Sequence, residues 1–190
     1  MANESLEPPA TLEREALSRA LVKVGAQDRA ALQEVYRRTS RKLFGVCLRI
    51  FGERADAEDA LQDVYLTIWD RAGSYDPARG SPITWLVTLT RNRSIDLLRR
   101  SGRRPTAPLD LASEVADETP DAEALMVSRD DDARVVYCLE TLAKSEATMI
   151  RTAFYEGATY AELATRSAMP LGTVKSRIRR ALLKLRGCLE

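Results

Sequence analysis

The sequence contains no histidine, and this single absence excludes several kinds of chemistry. Without histidine there is no Ser-His-Asp triad, no imidazole acting as general base and no histidine-ligated zinc site. A glycine-rich phosphate-binding loop is missing as well. We therefore expect a protein that is not an enzyme, binds no metal or cofactor and has no small-molecule substrate.

Cysteine is scarce, and long apolar runs are missing. Three cysteines, Cys47, Cys138 and Cys188, lie far apart without a CxxC motif. This odd number at wide spacing predicts reduced thiols rather than a disulfide framework. No apolar run approaches the ~20 residues that span a bilayer, and the start Met1-Ala2-Asn3-Glu4 does not resemble a secretory signal. Together these features predict a cytoplasmic protein.

The overall charge carries little information, but the hydrophobic pattern is informative. The 29 basic and 28 acidic residues among 190 sum to +1, so the distribution of charge matters more than its total. A chain of this length forms one domain or two small ones. Apolar residues recur with helical spacing and no long stretch alternates, which predicts an all-α fold.

Proline and charge divide the chain into four parts. Residues 1–12 are predicted to be a disordered N-terminus, 13–100 a first helical domain, 101–128 a linker and 129–190 a second helical domain. The linker is acidic and contains three prolines, Pro105, Pro108 and Pro120. Its apolar residues are sparse and aperiodic, so we expect a flexible, largely extended tether.

Capping residues indicate four helices in the first domain. One covers Glu13–Val24, and a longer one is capped by Asp28 and ended by Gly52. A third covers about 55–71. A fourth opens at Ser81-Pro82 and runs to Arg100. Since the fourth helix is apolar almost all round, we expect it to form the buried centre of the domain.

A helix-turn-helix pattern lies near the C-terminus. Thr159 and Glu162 form a capping box that starts a short helix, which ends near Ser167-Ala168 before Pro170 opens the next. The second helix places Val174, Ile178, Ala181, Leu182 and Leu185 on one face. The opposite face and its flanks carry Thr173, Lys175, Ser176, Arg177, Arg179, Arg180 and Lys184. From Pro170 through Arg186 there are six basic residues and no acidic residue. This pattern favours a helix that enters a DNA major groove over an ordinary solvated basic face.

An acidic stripe marks the third helix of the first domain. Its members are Asp56, Asp59, Asp63 and Asp70, with Gln62 and Leu66 beside them. Aspartates on one stripe repel each other and do not stabilise the helix. Spacing alone leaves two interpretations open, a solubilising face and a docking surface for a basic partner.

With these motifs in view, the sequence resembles bacterial sigma factors of the extracytoplasmic-function (ECF) group. The stretch 56–66 resembles sigma region 2.2. The runs Thr84-Trp85-Leu86, Arg91-Asn92-Arg93-Ser94-Ile95-Asp96 and Leu98-Arg99-Arg100 resemble regions 2.3 and 2.4. The stretches 159–164 and 170–177 resemble region 4.2. The segments occur in the family's order and spacing, over roughly residues 20–100 and 130–188.

The resemblance implies two helical domains on a flexible tether, and it implies their partners. Asp56, Asp59, Gln62, Asp63 and Leu66 would dock on the clamp helices of the largest subunit of core RNA polymerase. Tyr75, Trp85, Arg91, Asn92, Arg93, Asp96, Arg99 and Arg100 would bind the −10 promoter element and help to melt it. Thr173, Lys175, Ser176, Arg177, Arg179 and Arg180 would read the −35 element. The stretches 76–82 and 186–189 resemble the subgroup controlled by membrane-bound anti-sigma factors, which adds an anti-sigma factor as a partner.

Two departures and two alternatives accompany the resemblance. Ser167-Ala168 stands where the family usually has Leu-Gly, which predicts a less sharp turn, and Leu142-Ala143 replaces the common Leu-Pro.

One alternative function is a stand-alone helix-turn-helix regulator that binds duplex DNA without polymerase. The other is a helical adaptor whose basic helix binds a protein. The acidic stripe and the helix that carries Trp85 and Asn92 argue against the stand-alone regulator, which needs neither.

Overall fold

The computed structural model describes residues 9–102 and 134–189, and within these ranges the regular secondary structure is helical. The chain divides into two compact units at Arg104 and Pro105, so each unit is described by itself. The predicted linker, 101–128, lies almost wholly outside the described residues, as do residues 1–8. No helix in the described ranges is long and apolar enough to cross a membrane.

Within residues 9–102, the first unit is a bundle of four helices. Their bounds are α1 Pro9–Gly25, α2 Arg29–Phe51, α3 Arg54–Arg71 and α4 Pro82–Arg100, with a short 3₁₀ turn at Ala72–Ser74. Helix α1 therefore begins four residues before the predicted Glu13. A proline in the first turn needs no hydrogen-bonded N–H, which is why Pro9 can open a helix.

The ends of α2 confirm the predicted caps. The Asp28 carboxylate accepts hydrogen bonds from the backbone N–H groups of Ala30 (2.9 Å) and Ala31 (3.1 Å). At the other end Gly52 takes a left-handed φ of 80° and its N–H donates to the Leu48 carbonyl. Ser81 occupies the predicted N-cap position of α4 but its side chain makes no capping hydrogen bond.

The centre of the bundle is α2, not α4 as the sequence predicted. Helix α2 packs against α1, α3 and α4, and it buries residues along its whole length. Helix α4 buries one stripe that includes Leu86, Thr90 and Ser94, and its other apolar side chains, Trp85 among them, are half-buried at the flanks of this stripe. The sequence pattern therefore overestimates how much of α4 is buried. Residues that are only half-buried at the flanks of the stripe are as apolar as residues of the core.

A polar contact inside the bundle holds α2 to α3. The Thr39 hydroxyl donates to the Val35 carbonyl at 2.7 Å and lies 2.8 Å from the Tyr65 hydroxyl. Because Thr39 has only one hydroxyl hydrogen, Tyr65 is the donor in the second bond. Burial raises the pKa of Tyr65, so the phenol stays protonated.

The second unit contains α5 (residues 134–140), α6 Lys144–Tyr155, α7 Tyr160–Arg166 and α8 Leu171–Leu189. Helices α6 and α7 pack on α8 and on each other. One apolar cluster joins Met149, Leu163, Val174 and Ile178. A second joins Leu142, Ala147 and Ala181, so α8 contributes to both clusters.

The prediction of three reduced thiols is wrong for two of them. Cys138 of α5 and Cys188 of α8 form a disulfide, with their Cα atoms 5.8 Å apart. Sequence spacing could not show this proximity, because the fold alone brings α5 beside the end of α8. Cys47 is a free buried thiol, and burial raises its pKa to about 11.

Candidate nucleic-acid interface

Helix α8 presents a basic surface because its other face is fixed in the core. Val174, Ile178 and Ala181 are buried, as the periodicity predicts. Lys175, Ser176, Arg179 and Arg180 are exposed, whereas Thr173 and Arg177 are half-buried. The exposed donors can reach base edges and phosphates when the helix lies in a major groove.

Two predictions about the faces of α8 need correction. Leu182, predicted to share the apolar face, is 48% exposed, so the described part of the unit leaves this position of the stripe uncovered. Lys184, predicted on the DNA-facing side, donates to Glu146 of α6 at 3.1 Å. This hydrogen bond lowers the pKa of Glu146, and it directs Lys184 toward the protein.

The turn between α7 and α8 is formed without glycine. Ala168 adopts a left-handed φ of 49°, a conformation that normally favours glycine. The turn therefore has the geometry that the family's usual Leu-Gly pair would allow, contrary to the expectation of a less sharp turn. The cost is local strain, because the alanine Cβ crowds the backbone in this region.

The predicted capping box at the start of α7 is confirmed. Glu162 N–H donates to the Thr159 hydroxyl at 3.2 Å, and the Glu162 carboxylate accepts from Thr159 N–H at 2.6 Å. This reciprocal cap fixes the first turn of a seven-residue helix that is otherwise too short to be stable alone.

The acidic stripe of α3 has unequal members. Asp59 and Gln62 are exposed, and Leu66 is 67% exposed, the highest value among the large apolar side chains of the described residues. Asp56 and Asp63 are half-buried. The stripe thus combines carboxylates with one protruding leucine, a composition suited to a basic partner that also offers an apolar contact.

Asp63 is engaged within the protein. The Arg93 guanidinium of α4 donates through Nη2 to Asp63 Oδ1 at 3.0 Å and through Nε to Oδ2. The hydrogen bond from Arg93 lowers the pKa of Asp63 and the same bond raises the pKa of Arg93. A residue predicted to bind polymerase and a residue predicted to bind DNA are therefore bound to each other.

Tyr75 lies inside the bundle and not on the surface where a base would stack. It is 8% exposed, and its hydroxyl is 3.0 Å from Ser18 Oγ of α1. Its ring meets the ring of Trp85 edge-on at 5.8 Å. These contacts make Tyr75 a support for the loop 75–81 and for Trp85.

The remaining predicted −10 residues line the outer side of α4. Asn92, Asp96, Arg99 and Arg100 are exposed, and Arg91 is half-buried. Arg91 donates to Asn92 Oδ1 at 2.8 Å, which orients the amide. Burial and the nearby Arg99 lower the pKa of Arg91, so this edge gathers positive charge that an incoming phosphate would offset.

Among the described residues, no group of three or more acidic residues or cysteines is placed to hold a metal ion. The two units together define a helical DNA-binding protein with a helix-turn-helix in its second unit. Residues 35–104 match the family model described as Sigma-70 region 2, and residues 138–187 match Sigma-70, region 4.

Named relatives place the chain more closely. It is 34% identical over 177 residues to the ECF RNA polymerase sigma factor SigK of Mycobacterium tuberculosis, covering 90% of this chain and 91% of the relative. Identity to SigK of Mycolicibacterium vanbaalenii is 36% over 183 residues, covering 96% and 92%. The solved structure of Rhodobacter sphaeroides SigE in complex with the anti-sigma ChrR is 36% identical, with a TM-score of 0.45 and coverage of 92% and 97%. The chain belongs to the ECF group of the sigma-70 family.

Proposed function

We propose that the chain binds core RNA polymerase and directs it to promoters through two separate DNA contacts. The observation that carries this function is the joint match to region 2 and region 4, in that order, along one chain. A stand-alone regulator would need only the helix-turn-helix unit, and it leaves the whole first unit without a role. The cytoplasm is where RNA polymerase acts, so we place the protein there.

The exposed part of the α3 stripe supports the polymerase contact. Asp59, Gln62 and Leu66 project from one side of a helix whose opposite side is buried against the bundle. We infer that the clamp helices of the largest polymerase subunit bind here, with Asp56 and Asp63 at the margin. An anti-sigma factor would compete for one or both units.

The DNA contacts divide between the units. Lys175, Ser176, Arg179 and Arg180, with Thr173 and Arg177 at the edge, would read the −35 duplex. Asn92 would hold an unstacked base of the −10 element while Arg91, Arg99 and Arg100 bind the backbone. Opening a promoter requires stabilisation of flipped bases against a stacking cost of a few kcal/mol. It requires no bond chemistry from this chain, and we propose that the chain has no catalytic activity of its own.

Run-off transcription with purified core polymerase tests the function. Addition of the chain should produce discrete start sites from a genomic DNA library, and a start-site pattern unchanged from core polymerase alone would overturn the proposal.

Asp59→Lys should weaken binding to core polymerase while −35 duplex binding by the full chain is retained. Glu15→Lys on α1, an exposed site with the same change of charge, is the matched control and should leave polymerase affinity unchanged.

A further inference from the structure

The polymerase-docking stripe and the DNA-binding edge share one ion pair. Asp63 belongs to the stripe of α3, and Arg93 belongs to the basic edge of α4, yet each satisfies the charge of the other. While this pair is intact, the Nε hydrogen and one Nη2 hydrogen of Arg93 are not free to donate to an outside partner. The two binding surfaces are therefore connected through an exchangeable contact.

The geometry of the pair determines what Arg93 can offer. Both Nε and Nη2 donate to the Asp63 carboxylate, so the guanidinium is oriented toward α3. A phosphate would use the same planar pair of donors for a bidentate contact. In this arrangement the carboxylate occupies the position that a DNA phosphate would take.

The pair is accessible enough to exchange partners. The Arg93 side chain is 25% exposed and the Asp63 side chain 32% exposed. Water and solute groups reach both residues, so breaking the contact does not open the apolar core. A partly exposed ion pair contributes little to stability, so a polymerase cation that binds Asp63 can displace Arg93 at small cost.

We propose that Asp63 masks Arg93 from DNA in the free protein, and that docking of polymerase on Asp63 releases Arg93 to the promoter strand. A polymerase cation replaces Arg93 at the carboxylate, and a DNA phosphate replaces Asp63 at the guanidinium. One internal ion pair is replaced by two intermolecular pairs, so neither Asp63 nor Arg93 is left without a charged partner after the exchange. This inference rests on the proposed function for its biological setting, but the masking itself is a property of the isolated chain.

Linkage makes the coupling reciprocal. If polymerase on Asp63 strengthens DNA binding at Arg93 by some factor, DNA at Arg93 strengthens polymerase binding by the same factor. The free protein would then have weak affinity for single-stranded DNA, and the complex would acquire one more phosphate contact.

The test measures DNA binding by the full-length chain without polymerase. Fluorescein-labelled oligothymidine is titrated with the wild type, Asp63→Asn and Asp59→Asn, and anisotropy is followed at several salt concentrations. Asp59 is the matched control, because it lies one turn earlier on the same stripe and its carboxylate is not the one that Arg93 binds. Both variants remove one negative charge from the same helix.

Asp63→Asn should bind about two- to fivefold more tightly than Asp59→Asn at low salt. For Asp63→Asn, the slope of log affinity against log salt concentration should be steeper by about 0.7, the value for one phosphate contact on a single strand. Adding Arg93→Gln should remove this gain. Equal affinities for the two single variants, or a gain that persists without Arg93, would overturn the masking.

A second measurement does not depend on the folding of any variant. In wild-type protein with ¹⁵N-labelled arginine, the Arg93 Nε–Hε resonance should not move when oligothymidine is added. A shift comparable to those of other α4 arginines would contradict masking.

Run-off transcription distinguishes failure of the proposed function from failure of the masking. Loss of start-site selection with wild-type protein would overturn the function alone, whereas unmasked Arg93 with normal transcription would overturn only this inference.

Discussion

Cys138 and Cys188 join α5 to the last turn of α8 across a sequence separation of 50. Closing a loop of this length restricts the unfolded chain, and reduction is expected to lower the free energy of unfolding of the second unit by about 2–4 kcal/mol. Hydrogen exchange of the α8 amides, with and without dithiothreitol, measures this effect. Exchange should become faster on reduction.

The first unit supplies the internal control for that experiment. Both tryptophans, Trp69 and Trp85, lie in the first unit, so unfolding followed by tryptophan fluorescence should not respond to the reductant. A Cys47→Ala variant should show the same response of α8 as the wild type. Loss of the response in this variant would contradict the assignment of the disulfide to Cys138 and Cys188.

The Asp63–Arg93 pair predicts a pH dependence of stability. Because the pKa of Asp63 is lowered in the folded state, its contribution is present above the ordinary aspartate pKa and is lost as the pH falls through the folded-state value. Asp63→Asn should therefore cost about 0.2–1 kcal/mol at pH 7, and the difference from wild type should shrink below about pH 4. Urea unfolding of both proteins at several pH values measures it. A difference that stays constant down to pH 2 would contradict an ionic origin.

The strained turn residue offers a stabilising substitution. Ala168→Gly relieves a left-handed alanine and should raise the stability of the second unit by about 1 kcal/mol, less a small entropy cost in the unfolded chain. Ala161→Gly, in the exposed first turn of α7, should lower it instead. Thermal unfolding followed by circular dichroism compares the two, and a loss of stability in Ala168→Gly would show that the turn carries no strain.

Arg180→Ala tests direct base reading by α8. Because Arg180 is exposed on the face opposite the core, its loss should weaken binding to the −35 duplex by about 1–3 kcal/mol and relax specificity at one base pair. Lys184→Ala is the control on the same helix, and its effect should be smaller because Glu146 holds that lysine. Competition binding against duplexes with single base changes measures both. A loss that is uniform across sequences would make Arg180 a phosphate contact.

Asn92 is expected to act during promoter opening. Its exposed amide, oriented by Arg91, should favour an unstacked base, so Asn92→Ala should slow open-complex formation on duplex promoters. On promoters melted beforehand at the −10 element, the variant should behave almost as the wild type. Equal defects on both templates, measured by the rate of abortive transcription, would exclude a role in melting.

The helices were the most predictable part of the molecule, because their signals are local. Asp28 and Gly52 mark the two ends of α2, and Thr159 with Glu162 marks the start of α7. Each cap is a hydrogen bond between residues close in sequence, so spacing alone is sufficient. The buried positions of α8 follow similarly from the helical period, with the exception of Leu182.

Contacts between residues distant in sequence could not be predicted from such local signals. Tyr75, expected near a flipped base, lies against Ser18 and Trp85 because its side chain packs into the bundle, whereas residues 76–80 of the loop are exposed. Ala168 has a left-handed φ although no glycine in the turn indicates this geometry. For Tyr75, packing against other elements outweighed the local preference.

The sequence by itself determined the all-helical composition, the caps, the basic face of α8 and the acidic stripe of α3, because each depends on residues within a few positions of one another. Only the tertiary structure decided that α2 is the central helix, that Cys138 meets Cys188 and that Asp63 binds Arg93. These contacts depend on which helices lie side by side. That arrangement results from the burial of many apolar surfaces at once, and no local pattern encodes it.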